Sequence, residues 1–127
     1  MEIIQVYKCL CDEQRLRILN LLKDGPLCVC HLVEILNADQ VKISKQLRYM
    51  KELGMVEDER VAQWKVYRLA ATVNPLLEEN LKCLQDCYGE LIEFNKDIQK
   101  RLIVTKRTQL ENAACAQAID LRPVIHE

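Results

Sequence analysis

Two amphipathic helices are predicted before Gly25, because apolar residues repeat there at intervals of three and four positions. Asp12 stands between the two stretches and is a favourable N-cap for the second helix, which Gly25 can end. The apolar faces consist of Ile3, Val6, Tyr7 and Leu10 in the first helix, and of Leu16, Leu19 and Leu22 in the second.

A third and a fourth helix follow in close succession. Pro26 suits the first turn of the third helix and Asn37 its end, while Asp39 can cap the fourth and Gly54 can stop it. The inward faces are Leu32, Ile35 and Leu36, and then Ile43, Leu47, Met50 and Leu53. The pattern therefore predicts two helices joined by a tight connection.

Residues 56 to 69 show the alternating pattern of extended strands. The turn between the two runs, around residues 61 to 63, lacks the Gly or Asn of the commonest tight turns. One face of the second run carries Trp64, Val66 and Arg68, and the other carries Lys65, Tyr67 and Leu69. We predict a β-hairpin here, and hence a mainly α fold with a small β-hairpin wing (α+β).

A long C-terminal helix is predicted from Asn74 onward, where an N-cap, a proline and acidic residues follow one another. Its apolar stripe alternates steps of four and three, a heptad period typical of two helices packed together. The stripe is Leu77, Leu81, Leu84, Tyr88, Leu91, Asn95, Ile98 and Leu102, with Asn95 as the polar position that fixes register. Covering the domain's own core is the alternative, but we favour a dimerisation helix because a small domain rarely needs so long a stripe.

One domain over residues 1–104 accounts for these elements, and a flexible tail is predicted over residues 105–127. Half of the 127 residues are hydrophobic, which suffices for one packed core. The N-terminal segment is charged and no long uncharged apolar run occurs, so neither a signal peptide nor a membrane span is predicted. We expect a cytoplasmic protein without a membrane partner.

Charge is balanced overall, with 18 Lys and Arg against 19 Asp and Glu, so binding to nucleic acid would require local clustering. Such a cluster lies on the fourth helix, where Lys42, Lys45, Arg48 and Lys51 form a stripe away from the apolar face and no acid intervenes. A solvated surface is the alternative. The short helix before it and the basic hairpin after it favour a recognition helix and a wing.

The predicted contacts to double-stranded DNA divide into base-edge contacts, phosphate contacts and wing contacts. The acidic residues 57 to 59 argue against DNA contact by the start of the first strand of the hairpin. The three groups are Gln40, Lys42 and Ser44; Lys45, Arg48 and Lys51; and Arg60, Lys65 and Arg68.

Seven cysteines are a high but odd number, which in a chain without export signals does not favour a disulfide framework. Their thiols are predicted to be metal ligands, redox sensors or small core residues. An enzyme is disfavoured, because the chain has no C-x-x-C motif, glycine-rich phosphate loop or paired His and carboxylate, and no organic cofactor is predicted.

Three segments resemble the ArsR/SmtB family of metalloregulators. CLCDEQRLRILNLL is similar to the family's "AL.D..RLRIL.LL", DQVKISKQLRYMKELGMV to its "SQ..VS.HL..L...G.V" recognition helix, and WKVYRL to the end of its wing. The resemblance runs from about residue 3 to residue 69 and implies a homodimeric winged helix-turn-helix repressor that leaves its operator when a metal or metalloid binds. Gln46 replaces the usual His of the recognition helix.

The segment PLCVCHL is similar to the family's ELCVCDL metal box, and the resemblance implies that Cys28 and Cys30 are metal ligands. Thiolates are soft donors, which suits arsenite or antimonite as inducer, with cadmium or lead as the alternative. Residues two apart on a helix point about 200° apart, so both sulfurs could grip one ion only by distorting the first turn. That distortion would be transmitted to the recognition helix.

A third ligand is left open, because Val33 occupies the place of the family's third cysteine. Cys9 and Cys11 could replace it, from the same or the other subunit, or could be core residues; His31 is expected to face solvent. A disulfide from Cys9 or Cys11 is the redox alternative to metal sensing. Cys83 and Cys87 share a helical face and could chelate an ion, although packing in the dimer is favoured.

Overall fold

The computed structural model describes residues 2–72 and 74–111, with the side chains of residues 110 and 111 excepted. The fold is the predicted one, a mainly helical winged helix-turn-helix. Its elements in chain order are α1 (Glu2–Leu10), α2 (Glu13–Lys23), β1 (Leu27–Cys28), α3 (Val29–Leu36), α4 (Gln40–Glu52), β2 (Val56–Val61), β3 (Trp64–Leu69), α5 (Pro75–Tyr88) and α6 (Ile92–Glu111).

Three helix starts are fixed by the side chains that the sequence indicated. Asp12 accepts a hydrogen bond from the backbone N–H of Arg15 (3.0 Å), and Asp39 accepts one from that of Lys42 (3.2 Å). Asn74 caps α5 in the same manner, with Pro75 at the first helical position. Each cap satisfies a backbone donor that the helix itself leaves without an acceptor.

The third helix begins later than predicted, because residues 27 and 28 form a strand instead of its first turn. Strand β1 pairs antiparallel with β3, with Leu27 opposite Tyr67 and Cys28 opposite Val66. The resulting three-stranded sheet has the order β1-β3-β2, so the wing hairpin is confirmed and gains a short third strand. The hairpin turns through Ala62, whose φ of +56° supplies the left-handed conformation for which Gly or Asn is commoner.

The core lies where α1 to α5 converge, and α6 adds Val104 to it. Buried apolar side chains alternate with exposed ones at helical spacing, which is why the sequence pattern identified most of this core. Its fully buried members include Val6, Leu19, Leu32, Ile43, Leu47, Leu77 and Leu81. Within the described ranges, no helix is long and apolar enough to cross a membrane.

The predicted single C-terminal helix is wrong, because α5 ends at Tyr88 and α6 begins at Ile92. A Cβ on Gly89 would lie 2.5 Å from the carbonyl oxygen of Gln85, so the chain approaches itself there as only glycine permits. The heptad seam does not continue across the break: Leu77 and Leu81 are buried in the domain, whereas Tyr88, Leu91 and Leu102 are about half exposed.

Helix α6 turns to the domain a face that shares Ile98 with the predicted heptad but leaves Asn95 and Leu102 exposed. Phe94, Asp97 and Val104 are buried, and both carboxylate oxygens of Asp97 accept hydrogen bonds from Arg17 on α2 (2.8 and 2.9 Å). The predicted tail boundary at residue 104 falls inside α6, which continues to Glu111 along α3. The rest of the predicted tail lies outside the described residues.

Candidate metal centre and DNA-binding surface

The two cysteines of the C-x-C motif belong to different elements. Cys28 ends β1 and is the N-cap of α3 with an extended backbone (φ −74°, ψ 155°), while Cys30 lies in the first turn. Because Cys28 precedes the helix, the predicted 200° separation does not apply, and the prediction that the sulfurs must distort the helix to meet is wrong. Ligand atoms of Cys28, Cys30 and His31 already lie within 4.8 Å of one another.

The two thiols form an asymmetric pair at the start of α3. Cys28 is 1% exposed, whereas Cys30 is exposed to solvent. A hydrogen bond from the Cys28 thiol, with backbone N–H groups of His31 and Cys30 adding to it, lowers the pKa of Cys30 to about 6 against the opposing effect of partial burial. At neutral pH Cys30 is therefore mainly a thiolate, and it lies beside the buried sulfur of Cys28.

His31 is buried, with 4% of its surface exposed, so the expectation that it faces solvent is wrong. His31 lies on α3 and its ring contacts α6: Nδ1 accepts a hydrogen bond from the backbone N–H of Cys28 (3.3 Å), and Nε2 lies 2.9 Å from Oγ1 of Thr108. Burial lowers the pKa of His31, which favours the neutral imidazole that metals require. Sequence reasoning missed Thr108, and no local signal marks it.

Within one chain, the replacement ligands weighed for Val33 are not assembled with the pair. Cys9 is fully buried, and burial raises its pKa to about 11, which disfavours the thiolate. Cys11 is exposed and donates to the carbonyl of Lys8 (3.3 Å). Among the described residues, the one group of three or more thiol, imidazole or carboxylate ligands is Cys28, Cys30 and His31.

Cys83 and Cys87 lie on one face of α5, as their spacing predicted. Both are exposed, and their sulfurs are 3.9 Å apart. Neither takes part in the core of the domain, so the packing role predicted for them would require a second chain.

Helix α4 has the two faces expected of a recognition helix. Ile43, Leu47 and Met50 are fully buried on one side. The opposite side exposes most of the residues predicted to contact DNA, with Ser44 half-buried: Gln40, Lys42, Lys45, Arg48 and Lys51. The structure thus places this stripe on the surface, and its contacts with bases and phosphates stay a prediction.

The acids of β2 neutralise part of the predicted wing surface. Asp58 pairs with both Lys51 of α4 (2.9 Å) and Lys65 of β3 (3.2 Å), and the same pairing raises the pKa of Lys51. Arg68 pairs with Glu59 (3.1 Å), and Arg60 is exposed near the tip of the hairpin. The wing is thereby tied to the recognition helix by Asp58.

Gln46 faces α2 and not the exposed stripe. Its Oε1 accepts from Arg15 (3.0 Å), and its Nε2 donates to Asp12 (3.0 Å) and Gln14 (3.1 Å). The residue therefore joins the start of α2 to the recognition helix, a role that sequence reasoning did not identify.

Comparison with known proteins identifies the family and supports the fold. The family model for bacterial regulatory proteins of the arsR family matches residues 12–58. An arsenic resistance transcriptional regulator of Pseudomonas putida is 40% identical over 86 residues, 67% of either chain, and the arsenical resistance operon repressor of Escherichia coli is 39% identical over 88 residues, 65% of this chain and 75% of that one. A homodimeric winged helix-turn-helix DNA-binding domain from Mycobacterium bovis matches with a TM-score of 0.58 at 25% identity, over 72% of this chain and 82% of that domain.

The fold, the exposed basic stripe and the hairpin beside it define a winged helix-turn-helix transcriptional regulator. The chain belongs to the ArsR family of bacterial regulatory proteins. Membership confirms the resemblance that the sequence motifs indicated, and it identifies the protein as a DNA-binding transcriptional repressor.

Proposed function

We propose that this repressor leaves double-stranded operator DNA when arsenite or antimonite binds the thiols of Cys28 and Cys30. The observation that carries the proposal is the convergence of the two sulfurs at the start of α3, one of them with a lowered pKa. Trivalent arsenic exchanges hydroxide for thiolate, so As(OH)3 and two thiols give a dithiolate with one remaining hydroxide and two waters. The names of the Pseudomonas and Escherichia relatives support this inducer class.

The path from the thiols to the DNA surface runs through β1. Cys28 pairs with Val66 of β3, and the two residues share a small apolar cluster with Val61 and Trp64 of the wing. Movement of the Cys28 sulfur towards a bound ion would disturb this pairing, while movement of Cys30 would act on α3 and hence on α4. A coupling of about 1 to 3 kcal/mol between the two sites is typical of such switches.

The DNA-bound form that we propose is a homodimer. Exposed apolar side chains on α5, on α6 and in the break between them would be covered by a second copy, and the Mycobacterium bovis domain is homodimeric. Two recognition helices related by a twofold axis read half-sites about 34 to 36 Å apart. We propose that the protein acts in the cytoplasm and by binding rather than by catalysis.

The test is operator binding during titration with arsenite and, in parallel, antimonite. We expect wild-type protein to be released, and Cys28→Ser and Cys30→Ser to bind the operator but to resist release. Cys11→Ser, an exposed thiol outside the pair, is the matched control and should be released normally. Release from the operator by arsenite or antimonite that persists in both Cys28→Ser and Cys30→Ser would contradict the assignment of these two thiols as the inducer site.

A further inference from the structure

The hydrogen bonds that Cys28 and Thr108 make to the two ring nitrogens of His31 indicate which nitrogen carries the proton. The hydroxyl of Thr108 has a single hydrogen, which it donates to the backbone carbonyl of Val104 (3.0 Å). Towards His31 the same oxygen then acts as an acceptor, with the Nε2 atom 2.9 Å away as the N–H donor, which agrees with Nδ1 accepting from Cys28. The geometry thus selects the Nε2–H tautomer of a neutral imidazole.

The other nitrogen of the ring then has its lone pair on the side of the thiols. Nδ1 accepts a hydrogen bond from the backbone N–H of Cys28, and a ring nitrogen lies within 4.8 Å of both sulfurs. That hydrogen bond is long, at 3.3 Å, so a cation can compete with the N–H group for the lone pair.

Contacts between α6 and α3 hold Thr108 in place. Arg107, the preceding residue, forms an ion pair with Glu34, and Lys100 donates to the backbone carbonyl of Glu34 (3.2 Å). Arg101 donates to the carbonyl of Leu21 (2.8 Å), which adds a link from α6 to α2. The Thr108 oxygen that orients His31 therefore lies on a helix, α6, that is itself held in place by contacts with α3 and α2.

We propose that Thr108 is the positioning residue that makes Nδ1 of His31 the third protein donor of the Cys28–Cys30 centre, and that this two-sulfur, one-nitrogen set binds divalent cations of the cadmium class. The inference rests on the proposed site at Cys28 and Cys30. A histidine that ligates a metal commonly donates its other ring N–H to a fixed acceptor, which sets both tautomer and ring orientation. Sulfur and imidazole nitrogen together suit cadmium and zinc.

Trivalent arsenic differs from cadmium in the ligands that it needs at the same centre. Two thiolates and a hydroxide complete its three bonds, so it needs no nitrogen ligand. Thr108 should therefore matter for cadmium and not for arsenite, a split that a general loss of structure would not produce.

The experiment titrates Cd²⁺ and, separately, arsenite into wild-type protein and four variants. Cadmium binding is followed by the sulfur-to-cadmium ultraviolet band, and arsenite affinity is measured by competition with a dithiol. Thr108→Val removes the acceptor and should lower cadmium affinity about 10- to 100-fold, with arsenite affinity unchanged. Thr108→Ser restores the hydroxyl and should bind cadmium as wild type does. Thr105→Val is the matched control, because Thr105 is also on α6 and its hydroxyl donates to the backbone carbonyl of Arg101 as that of Thr108 donates to the carbonyl of Val104. Cys28→Ser tests the centre itself.

Equal cadmium affinity in Thr108→Val and Thr105→Val would overturn the inference, as would an equal loss for cadmium and arsenite in Thr108→Val. An undiminished sulfur-to-cadmium band in Cys28→Ser would instead contradict the proposed centre, so the two failures are distinguishable. Nitrogen-15 shifts of the His31 ring provide a second readout: we expect the Nε2–H form in the metal-free wild type, and a protonated Nδ1 there would contradict the inference.

Discussion

The cysteines of this chain occupy environments that differ in charge and exposure, and their reactivities should differ accordingly. Among the six cysteines that the structure describes, we expect iodoacetamide at pH 7 to label Cys30 first and Cys9 last, because the pKa of Cys30 is lowered to about 6 and that of Cys9 is raised to about 11. Mass spectrometry of labelled peptides over time measures the order, with exposed Cys11 as the accessible comparison. Cys30 should no longer be labelled faster than the other cysteines below pH 6, where its thiol is protonated. Labelling of Cys9 as fast as Cys30 at pH 7 would contradict these environments.

Individual residues were predictable from the sequence where their roles are local. Asp12, Asp39 and Asn74 cap helices as expected, because a cap depends on residues two or three positions away. The burial of His31 was not predicted because its ring contacts α6 at Thr108, 77 positions along the chain. The Cys28 and Cys30 pair was found through the family's metal box, whereas its geometry followed from a two-residue strand that the pattern of apolar residues does not mark.

At the scale of elements, the wing and the recognition helix form one charged unit around Asp58. Replacing Asp58 with Asn removes the partner of both Lys51 and Lys65, so these lysines become available to phosphates. We expect tighter operator binding at low salt, with the slope of log affinity against log salt steeper by about 1 to 2. Fluorescence anisotropy at several salt concentrations measures both quantities.

The control for Asp58→Asn is Glu93→Gln, which changes net charge equally but on the exposed side of α6. Its operator affinity and salt slope should stay close to wild type. A weaker salt dependence in Asp58→Asn than in wild type would mean that Asp58 orients the lysines towards DNA instead of competing with it.

The break between α5 and α6 can be tested with Gly89→Ala. One continuous helix and two separate helices predict changes of opposite sign in the free energy of unfolding of this variant. If residues 75 to 104 formed one helix, Gly89→Ala would stabilise the protein by about 1 kcal/mol, because alanine is the better helix former. In the observed structure a Cβ at this position lies 2.5 Å from the carbonyl oxygen of Gln85, so we expect a lower free energy of unfolding, by about 1 to 3 kcal/mol. Urea denaturation measures the sign, and Glu90→Ala, an exposed neighbour, controls for helix propensity. A stabilised Gly89→Ala variant would contradict the break.

Considered as a whole molecule, the domain was predictable in its order of elements but not in how its last two helices are used. A repeat of apolar residues reports that one face of a helix is covered, without reporting whether the cover is the same domain or a second copy. Here the answer changes along the stripe, since Leu77 and Leu81 are covered by the domain, whereas Tyr88, Leu91 and Leu102 are left accessible. The heptad therefore identified residues that are buried by the domain or form accessible apolar surface, but its prediction of one continuous seam was wrong.

The accessible part of this stripe leads to a prediction about assembly. Tyr88 and Leu91 are 54% and 48% exposed, so replacing both with Asp should leave the monomer folded while placing charge in the proposed dimer surface. We expect sedimentation analysis to show a shift from dimer to monomer, and operator affinity to fall about 100-fold or more, because the two recognition helices no longer bind as a linked pair. Val41→Ser, at an apolar position on α4 that is 60% exposed, should leave the dimer intact. A double variant that remains dimeric would place the contact between copies elsewhere, and the twofold spacing of the recognition helices would then have to come from another surface.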